Sequence, residues 1–437
     1  MGQARTRRRP VAVDLFAGVG GLSLGFEQAG FDVLAAVEYD PVHAAVHKFN
    51  FPLTEVICRD VRNISAADVR RAAARGWRLH RRSGPAWDGL VDVIVGGPSC
   101  QGFSTMGRRD REDERNDLLL EFVRLVIEIR PRAFCLENVP GLLEARYAPL
   151  RESALKQLEA AGYLITGDVK PVNAANFGVP QNRKRVVIMG VLDGKVDELV
   201  GRAESVSVGE ALSMLPDASA IVDLVENDSV SAVSAPVVDW VPGASRYARV
   251  MAGLEVDPGD RSRPRCWDRS VLTNSRLTLH SEETKRRFSQ TLPGTVEPVS
   301  RFFRLPLDGQ ARTLRAGTGR ERGAFTSPRP LHPVRDRVIT VREAARIHSF
   351  PDWFRFHVTS WHGHRQIGNS VPPLLARAAG DAISAALGAG PSRVKKELPL
   401  GDPRLLSLSM AEAAKHFDAD ISELPAQRTR RSASQTV

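Results

Sequence analysis

The residues best placed to do chemistry gather in one short stretch, Val91 to Ser104, which reads VDVIVGGPSCQGFS. Its apolar start, Val91-Asp92-Val93-Ile94-Val95, has the length and β-branched content of a buried strand, and Gly96-Gly97-Pro98 ends it abruptly. Cys100 is therefore expected on a tight loop just past a strand's carboxyl end, the edge at which open parallel sheets bind ligands. A structural cysteine would sit inside the apolar run as a small hydrophobe. A thiol on such a loop becomes a nucleophile as the thiolate, a form that nearby arginines and helix ends favour. Taken alone, the stretch also fits a loop thiol of no consequence.

Four other segments keep it company. Asp14 to Gly21 reads DLFAGVGG, directly after the short strand Val11-Ala12-Val13. Phe134 to Gly141 is a second apolar run that empties into Glu137-Asn138-Val139-Pro140-Gly141. Gln181 to Gly190 reads QNRKRVVIMG, and Gln366 to Pro373 reads QIGNSVPP. Glycines let a backbone approach a ligand closely, and the amino end of a following helix favours a ligand's carboxylate, although a plain tight turn would look the same. Glu38 ends the strand Val33 to Val37, where a nucleotide-binding βαβ unit places an acid against ribose hydroxyls. Glu137 is a carboxyl group delivered by a neighbouring strand, or else a surface or capping glutamate.

Positioning these groups calls for alternating strands and helices. Helices are expected over about 21–29, 42–49, 65–75, 118–129, 151–161, 341–350 and 373–387, and strands over 11–14, 33–37, 54–57, 91–95, 133–136, 163–169 and 185–191. The pattern predicts a doubly wound α/β fold. Segment 76–90, with Trp77 and the basic cluster Arg78, His80, Arg81 and Arg82, is expected as a surface excursion. Thr105 to Asn116 is polar and dense in both charges, so it is read as a loop beside Cys100, either a lid or ordinary surface.

Composition sets the outer limits. With 437 residues, 42% hydrophobic and 26% charged, the chain can bury one large domain and a smaller one. The four cysteines, Cys58, Cys100, Cys135 and Cys266, lack the spacing of a metal site or a disulfide framework, so no metal is expected. No apolar run has the length of a membrane span, and the start MGQARTRRRP lacks a secretory apolar core, which makes the cytoplasm the expected compartment. A formal charge of +10, from 61 Lys+Arg against 51 Asp+Glu, points to a polyanionic partner bound through its phosphates.

Taken in order, PSCQGFS, ENVPG and QNRKR with the glycine turn and GNSVPP resemble the DNA (cytosine-5)-methyltransferase family of the bacterial restriction-modification type, over about residues 11–190 and 335–387. The resemblance implies an S-adenosyl-L-methionine-dependent, Rossmann-like methyltransferase domain with a smaller, irregular target-recognition domain. It implies Cys100 as the nucleophile that adds to carbon 6 of cytosine, Glu137 as the group at ring nitrogen 3, and Arg183 and Arg185 as holders of the extruded base. Phe16, Gly18, Gly20, Gly21 and Pro98 would line the cofactor pocket, Glu38 would bind its ribose, Asp60 its adenine amino group, and Asn369 and Val371 would close it. Gln101, Ser104, Arg312, Thr313 and Leu314 would contact DNA.

On this reading residues 1–191 form the first part of the catalytic domain, 192–334 the target-recognition domain, 335–390 the returning catalytic part and 391–437 a polar, partly disordered tail. The expected partner is double-stranded DNA, met at the nucleoid by a monomer, and the resemblance raises a cognate restriction endonuclease acting on the same site. Two residues depart from the family pattern. Ser99 stands where proline usually precedes the cysteine, and His348 stands where glutamine is common and is read as structural. The competing readings are a tRNA cytosine-5 methyltransferase, which the long arginine-rich insert disfavours, a non-catalytic DNA-binding protein on the same scaffold, and a dinucleotide-dependent oxidoreductase, which rests on the glycine turn alone.

Overall fold

The structure, a computed structural model, describes residues 8–81, 86–98, 117–233, 237, 240–241, 243, 245–317, 329–390 and 392–420. Its first half alternates β1 (Val11–Leu15), α1 (Gly21–Gln28), β2 (Asp32–Glu38), α2 (Pro41–Asn50), β3 (Glu55–Cys58), α3 (Ala66–His80), β4 (Val93–Gly96), α4 (Asp117–Ile129), β5 (Ala133–Asn138) and α5 (Ala148–Ala160). Then come β6 (Leu164–Ile165), β7 (Pro171–Asn173), β8 (Gln181–Asn182) and β9 (Lys184–Val191). The second half holds α6 (Val208–Leu212), β10 (Val230–Ser231), α7 (Arg246–Met251), β11 (Arg265–Cys266), β12 (Val271–Leu272), α8 (Glu282–Ser289), β13 (Ala311–Arg312), α9 (Val341–Ile347), α10 (Ser360–Asn369), α11 (Pro373–Ala386), β14 (Leu398–Pro399) and α12 (Met410–His416).

The central sheet runs β3-β2-β1-β4-β5-β9-β6, with β7 also on β9. Strands β3 to β5 of that order are parallel, whereas β9 meets β5 antiparallel. Burial on both faces explains why β1, β2, β4 and β5 read as nearly unbroken apolar runs. One face carries α3, α4 and α5 through Trp77, Phe122 and Leu158, and the other carries α1 and α11 through Phe26, Leu375 and Ile383. The doubly wound α/β expectation is met. Because β2 lies to one side of β1 and β4 to the other, the chain reverses direction between them, and such a switch point opens a crevice at the strands' carboxyl ends. Leu15 pairs with Gly96, so the two loops leaving β1 and β4 stand side by side.

One expectation needs correction. Helix α3 does not stop near residue 75; it continues to His80 and buries Trp77, which is 5% exposed. Gly76 makes this possible, since a Cβ there would lie 2.0 Å from the Leu34 carbonyl oxygen. Gly76, the first residue of the expected surface excursion, is in fact where the helix rests on β2. The insert packs against the first half. Its segment 257–266 is fastened to the first half: Arg261 N–H donates to the Gln28 carbonyl at 2.8 Å, and Arg265 grips both carboxylate oxygens of Glu27 at 2.9 and 2.7 Å.

Residues 392–420, the first part of the polar tail, also pack onto the protein. Strand β14 pairs with β11, Gly401 N–H donates to the Phe49 carbonyl at 2.8 Å, and Leu405 and Leu406 are buried. Residues 421–437 lie outside the described residues. Among those described, no helix is long and apolar enough to cross a membrane.

Helix propensity favours alanine over glycine by about 1 kcal/mol, yet Gly76→Ala is expected to destabilise the fold by about 1–3 kcal/mol through overpacking. Urea denaturation checks it; a stabilised variant would mean that α3 is not seated on β2 as described.

Candidate active site

The glycine turn after β1 takes left-handed backbone at Phe16 (φ 60°), Gly18 (φ 56°) and Gly20 (φ 100°). Gly18 N–H donates to Glu38 Oε2 at 2.7 Å, and Asp40 N–H donates to Glu38 Oε1 at 2.9 Å. Two amides thus aim the Glu38 carboxylate at the turn. Burial pushes its pKa up, against the pull of His43. Asp60, after β3, caps the next turn at Arg62 N–H and pairs with the Arg62 guanidinium at 2.6 Å. Gly21 begins α1 against the returning chain, because a Cβ there would meet the Val371 carbonyl oxygen at 2.3 Å. Val371 is buried and Asn369 is exposed at the end of α10.

Asp14, the first residue of DLFAGVGG, is a group that sequence reasoning passed over. Its Oδ2 accepts from Ser23 Oγ at 2.6 Å, and that hydroxyl lies 3.0 Å from His47 Nε2. Its Oδ1 is buried with no hydrogen-bond partner among the described residues. Burial pushes its pKa up to about 7. An acid inside an otherwise apolar strand was the available signal. An orphaned carboxylate oxygen, the fixed Glu38 and an open glycine turn fit a cofactor bearing an ammonium group and ribose hydroxyls, as S-adenosyl-L-methionine does.

On the other side of the crevice, β5 brings Glu137 to the loop that follows β4. A Cβ on Gly97 would lie 3.0 Å from Glu137 Oε2, and Asn138 Nδ2 donates to the Pro98 carbonyl at 3.4 Å. Buried Pro98 is thereby tied to the end of β5. Arg185, on the antiparallel neighbour β9, places Nε 2.8 Å from Glu137 Oε1. Burial raises the Glu137 pKa, outweighing Arg185 and then Arg183. Ser99, Cys100, Gln101, Ser104 and the segment Thr105 to Asn116 lie outside the described residues; the described chain reaches Pro98, two positions before Cys100.

The two arginines of QNRKR have different surroundings. Arg183 is 1% exposed and donates to the carbonyls of Leu314 (2.8 Å), Gly368 (2.8 Å) and Ser370 (3.0 Å). It staples the insert to the C-terminal return, while Arg185 faces the carboxylate. Beside it, Leu314 N–H donates to Gln181 Oε1 at 2.9 Å, the Gln181 amide donates to His348 Nδ1 at 3.0 Å, and His348 Nε2–H donates to Ser370 carbonyl at 2.9 Å. Burial, then Arg183, holds the His348 pKa well below its ordinary value, so the ring is neutral. Leu314 is itself buried, and the Thr313 hydroxyl donates to the Asn182 carbonyl at 2.8 Å. Arg312 is exposed, with its guanidinium 3.9 Å from the Phe303 ring centre. Among the three described residues of the five expected at DNA, then, Arg312 offers a solvent-facing group and Leu314 serves the frame.

Of the other cysteines, burial pushes the Cys58 thiol up to about 12 and the Cys135 thiol upward as well, which leaves both inert as thiolates. Among the described residues no group of three His, Cys, Asp or Glu side chains could hold a metal ion.

Asp14 also sets a pH signature. A carboxyl whose folded pKa is raised from 3.8 to about 7 binds its proton more tightly in the folded state, so stability falls as pH rises between those values. Asp14→Asn removes that loss. Relative to the parent, the variant is expected to gain stability from about pH 4 to pH 7, on the order of 4 kcal/mol at most. Parallel thermal melts across that range would expose a flat difference, which would contradict a protonated Asp14.

A model of the family described as C-5 cytosine-specific DNA methylase matches residues 11–385. The Type II methyltransferase M.XorII of Xanthomonas oryzae pv. oryzae is 46% identical over 426 residues, covering 97% of this chain and 95% of that protein. The Type II methyltransferase M.AgeI of Thalassovita gelatinovora is 30% identical over 443 residues, covering 86% and 99%. Among solved structures, a proposed DNA modification methyltransferase encoded in an Escherichia coli prophage superposes with a TM-score of 0.68 at 33% identity, covering 87% of this chain and 99% of that one. The Entamoeba histolytica methyltransferase EhMeth, at 14% identity and a TM-score of 0.55, shares the fold. With the match running from β1 into α11, the chain belongs to the C-5 cytosine-specific DNA methylase family and is a DNA (cytosine-5)-methyltransferase.

Proposed function

We propose that the chain methylates carbon 5 of cytosine within a specific double-stranded DNA sequence, acting on a base flipped out of the helix through a covalent Cys100–cytosine intermediate. The observation that carries this reading is the grouping at the end of β5: Glu137 over Gly97, Asn138 on the Pro98 carbonyl and Arg185 on the Glu137 carboxylate. A target base inside a duplex is out of reach, and extruding it costs a few kcal/mol. The Cys100 thiolate then adds to carbon 6, and Glu137, whose protonated form burial favours, delivers a proton to ring nitrogen 3 as the electron pair moves toward carbon 5. Arg185 orients the Glu137 carboxyl. Once carbon 5 carries the methyl group, loss of its proton to solvent expels the thiolate, and the proton on ring nitrogen 3 returns to Glu137, which restores the neutral ring.

S-adenosyl-L-methionine, when bound, supplies the methyl group on a positively charged sulfonium that carbon 5 attacks. Phe16, Gly18, Gly20 and Gly21 would shape its pocket, with Pro98, Asn369 and Val371 around it. Asp14 would take its ammonium group, Glu38 its ribose hydroxyls and Asp60 its adenine amino group. Residues 192–334 would select the sequence, with Gln101, Ser104 and the exposed Arg312 contacting DNA and Thr313 and Leu314 holding the strand that presents Arg312. The chain would act as a monomer in the bacterial cytoplasm, at the nucleoid. Since M.XorII and M.AgeI carry the name Type II methyltransferase, a restriction endonuclease reading the same site is the proposed companion.

Base-resolution sequencing of plasmid cytosines from a methylation-free bacterial host is expected to show one short motif methylated at carbon 5, and none with Cys100→Ser, although that variant should still bind the cofactor. Methyl transfer to tRNA instead of the plasmid would replace the substrate assignment. Exchanging residues 192–334 with those of a relative should change the methylated motif. Because Glu137 acts in its protonated form, kcat is expected to fall as pH rises through its raised pKa; Glu137→Gln should remove that limb and lower kcat by about 10²–10⁴-fold. An unchanged pH–rate profile in the Gln variant would assign the proton to another group.

A further inference from the structure

The family match ends at residue 385, yet the chain goes on to pack a further segment against the half of the protein that carries the proposed cofactor acids. After β14, the Leu406 carbonyl accepts from Val358 N–H at 3.0 Å and the Leu408 carbonyl lies 3.2 Å from His357 Nε2. Helix α12 starts with a Ser409–Glu412 capping box and lays buried Ala413 and Ala414 against α2. Helix α2 is the one capped by Asp40, whose own N–H holds Glu38.

The chain then turns back at Asp418, in left-handed backbone (φ 51°), and Ala419 N–H donates to the Ala414 carbonyl at 2.9 Å. Asp418, Ala419 and Asp420 form one wall of a cavity of about 200 Å³. Its other walls are Tyr39, Cys58, Arg59 and Asp60, the residues that end β2 and β3. One of them is the proposed acceptor of the adenine amino group, and another directly follows the proposed ribose acid.

We infer that residues 392–420 are a positioning element for the cofactor: the packed segment braces α2 and the Tyr39–Asp60 edge, and residues 418–420 complete the outer wall of the site that takes the adenine end. The inference rests on the assignment of S-adenosyl-L-methionine to the β1–β3 edge made above. The wall suits that end of the molecule. An aromatic ring and carboxylates face the place where a flat base with an N–H donor would enter, and α12 fixes the wall to the same helix that orients Glu38.

The test is calorimetric binding of S-adenosyl-L-methionine, alongside steady-state kinetics, on three proteins: the full chain, a chain ending after Asp420 and one ending after Phe417, which keeps α12 and its buried contacts. The longer truncation is expected to bind like the full chain. The shorter one should lose about tenfold in cofactor affinity and raise the cofactor KM equally, with kcat, DNA affinity and melting temperature within about twofold or unchanged. Asp418→Ala with Asp420→Ala in the full chain should shift cofactor affinity in the same direction. Equal cofactor affinity in the full chain and the chain ending after Phe417, or a loss shared by DNA binding and melting temperature, overturns the inference. A full chain that binds no cofactor removes the underlying assignment and the inference with it.

Discussion

One buried cation holds the two halves of the catalytic framework together. Arg183 has almost no contact with solvent, and taking a guanidinium out of water costs several kcal/mol unless its donors are satisfied. Carbonyls of Leu314, Gly368 and Ser370 accept from its two terminal nitrogens, and these come from the insert and from the returning C-terminal chain. The same junction contains Gln181, a neutral His348 and the Leu314 amide, each using the polar groups of the next. A half-satisfied network of this kind would be worse than an apolar core, so its members stand or fall as a unit. Through it, the strand that carries Arg185 and the short strand that presents Arg312 keep a fixed relation.

The crevice above β1 and β4 then separates two chemistries by environment. On one side Glu38 is fixed by two backbone amides, and Asp14 stands behind it with an unused oxygen. On the other side Glu137 is buried beside Arg185 and over the loop leading to Cys100. The first set suits a cationic, hydroxyl-bearing cofactor, and the second suits proton delivery to a ring nitrogen. Both depend on parallel strands ending at the same level, which the pairing of Leu15 with Gly96 provides.

Much of this was legible in the sequence because it is encoded locally. Buried parallel strands announce themselves as apolar runs, and the residues that follow them carry the chemistry: GGPSC after β4, ENVPG after β5 and DLFAGVGG at the end of β1. Helix α4 was readable from its apolar period until Pro131. Where reading by pattern failed, a contact distant in sequence had overridden a local rule. Gly76 stays helical because Leu34 lies against it.

The sequence by itself determined the fold class, the family and the list of residues able to act, since each motif needs only a strand and the few residues after it. Tertiary structure alone decided which of them act together. It assigned Arg185 to the Glu137 carboxylate and Arg183 to three carbonyls, although the two arginines are separated by a single residue. It turned Leu314 inward, linked buried Asp14 through the Ser23 hydroxyl to His47, and brought residues 418–420 to the edge of β2 and β3. The physical reason is common to all four: burial and hydrogen-bond partners set a polar group's role, and those partners come from segments far apart along the chain.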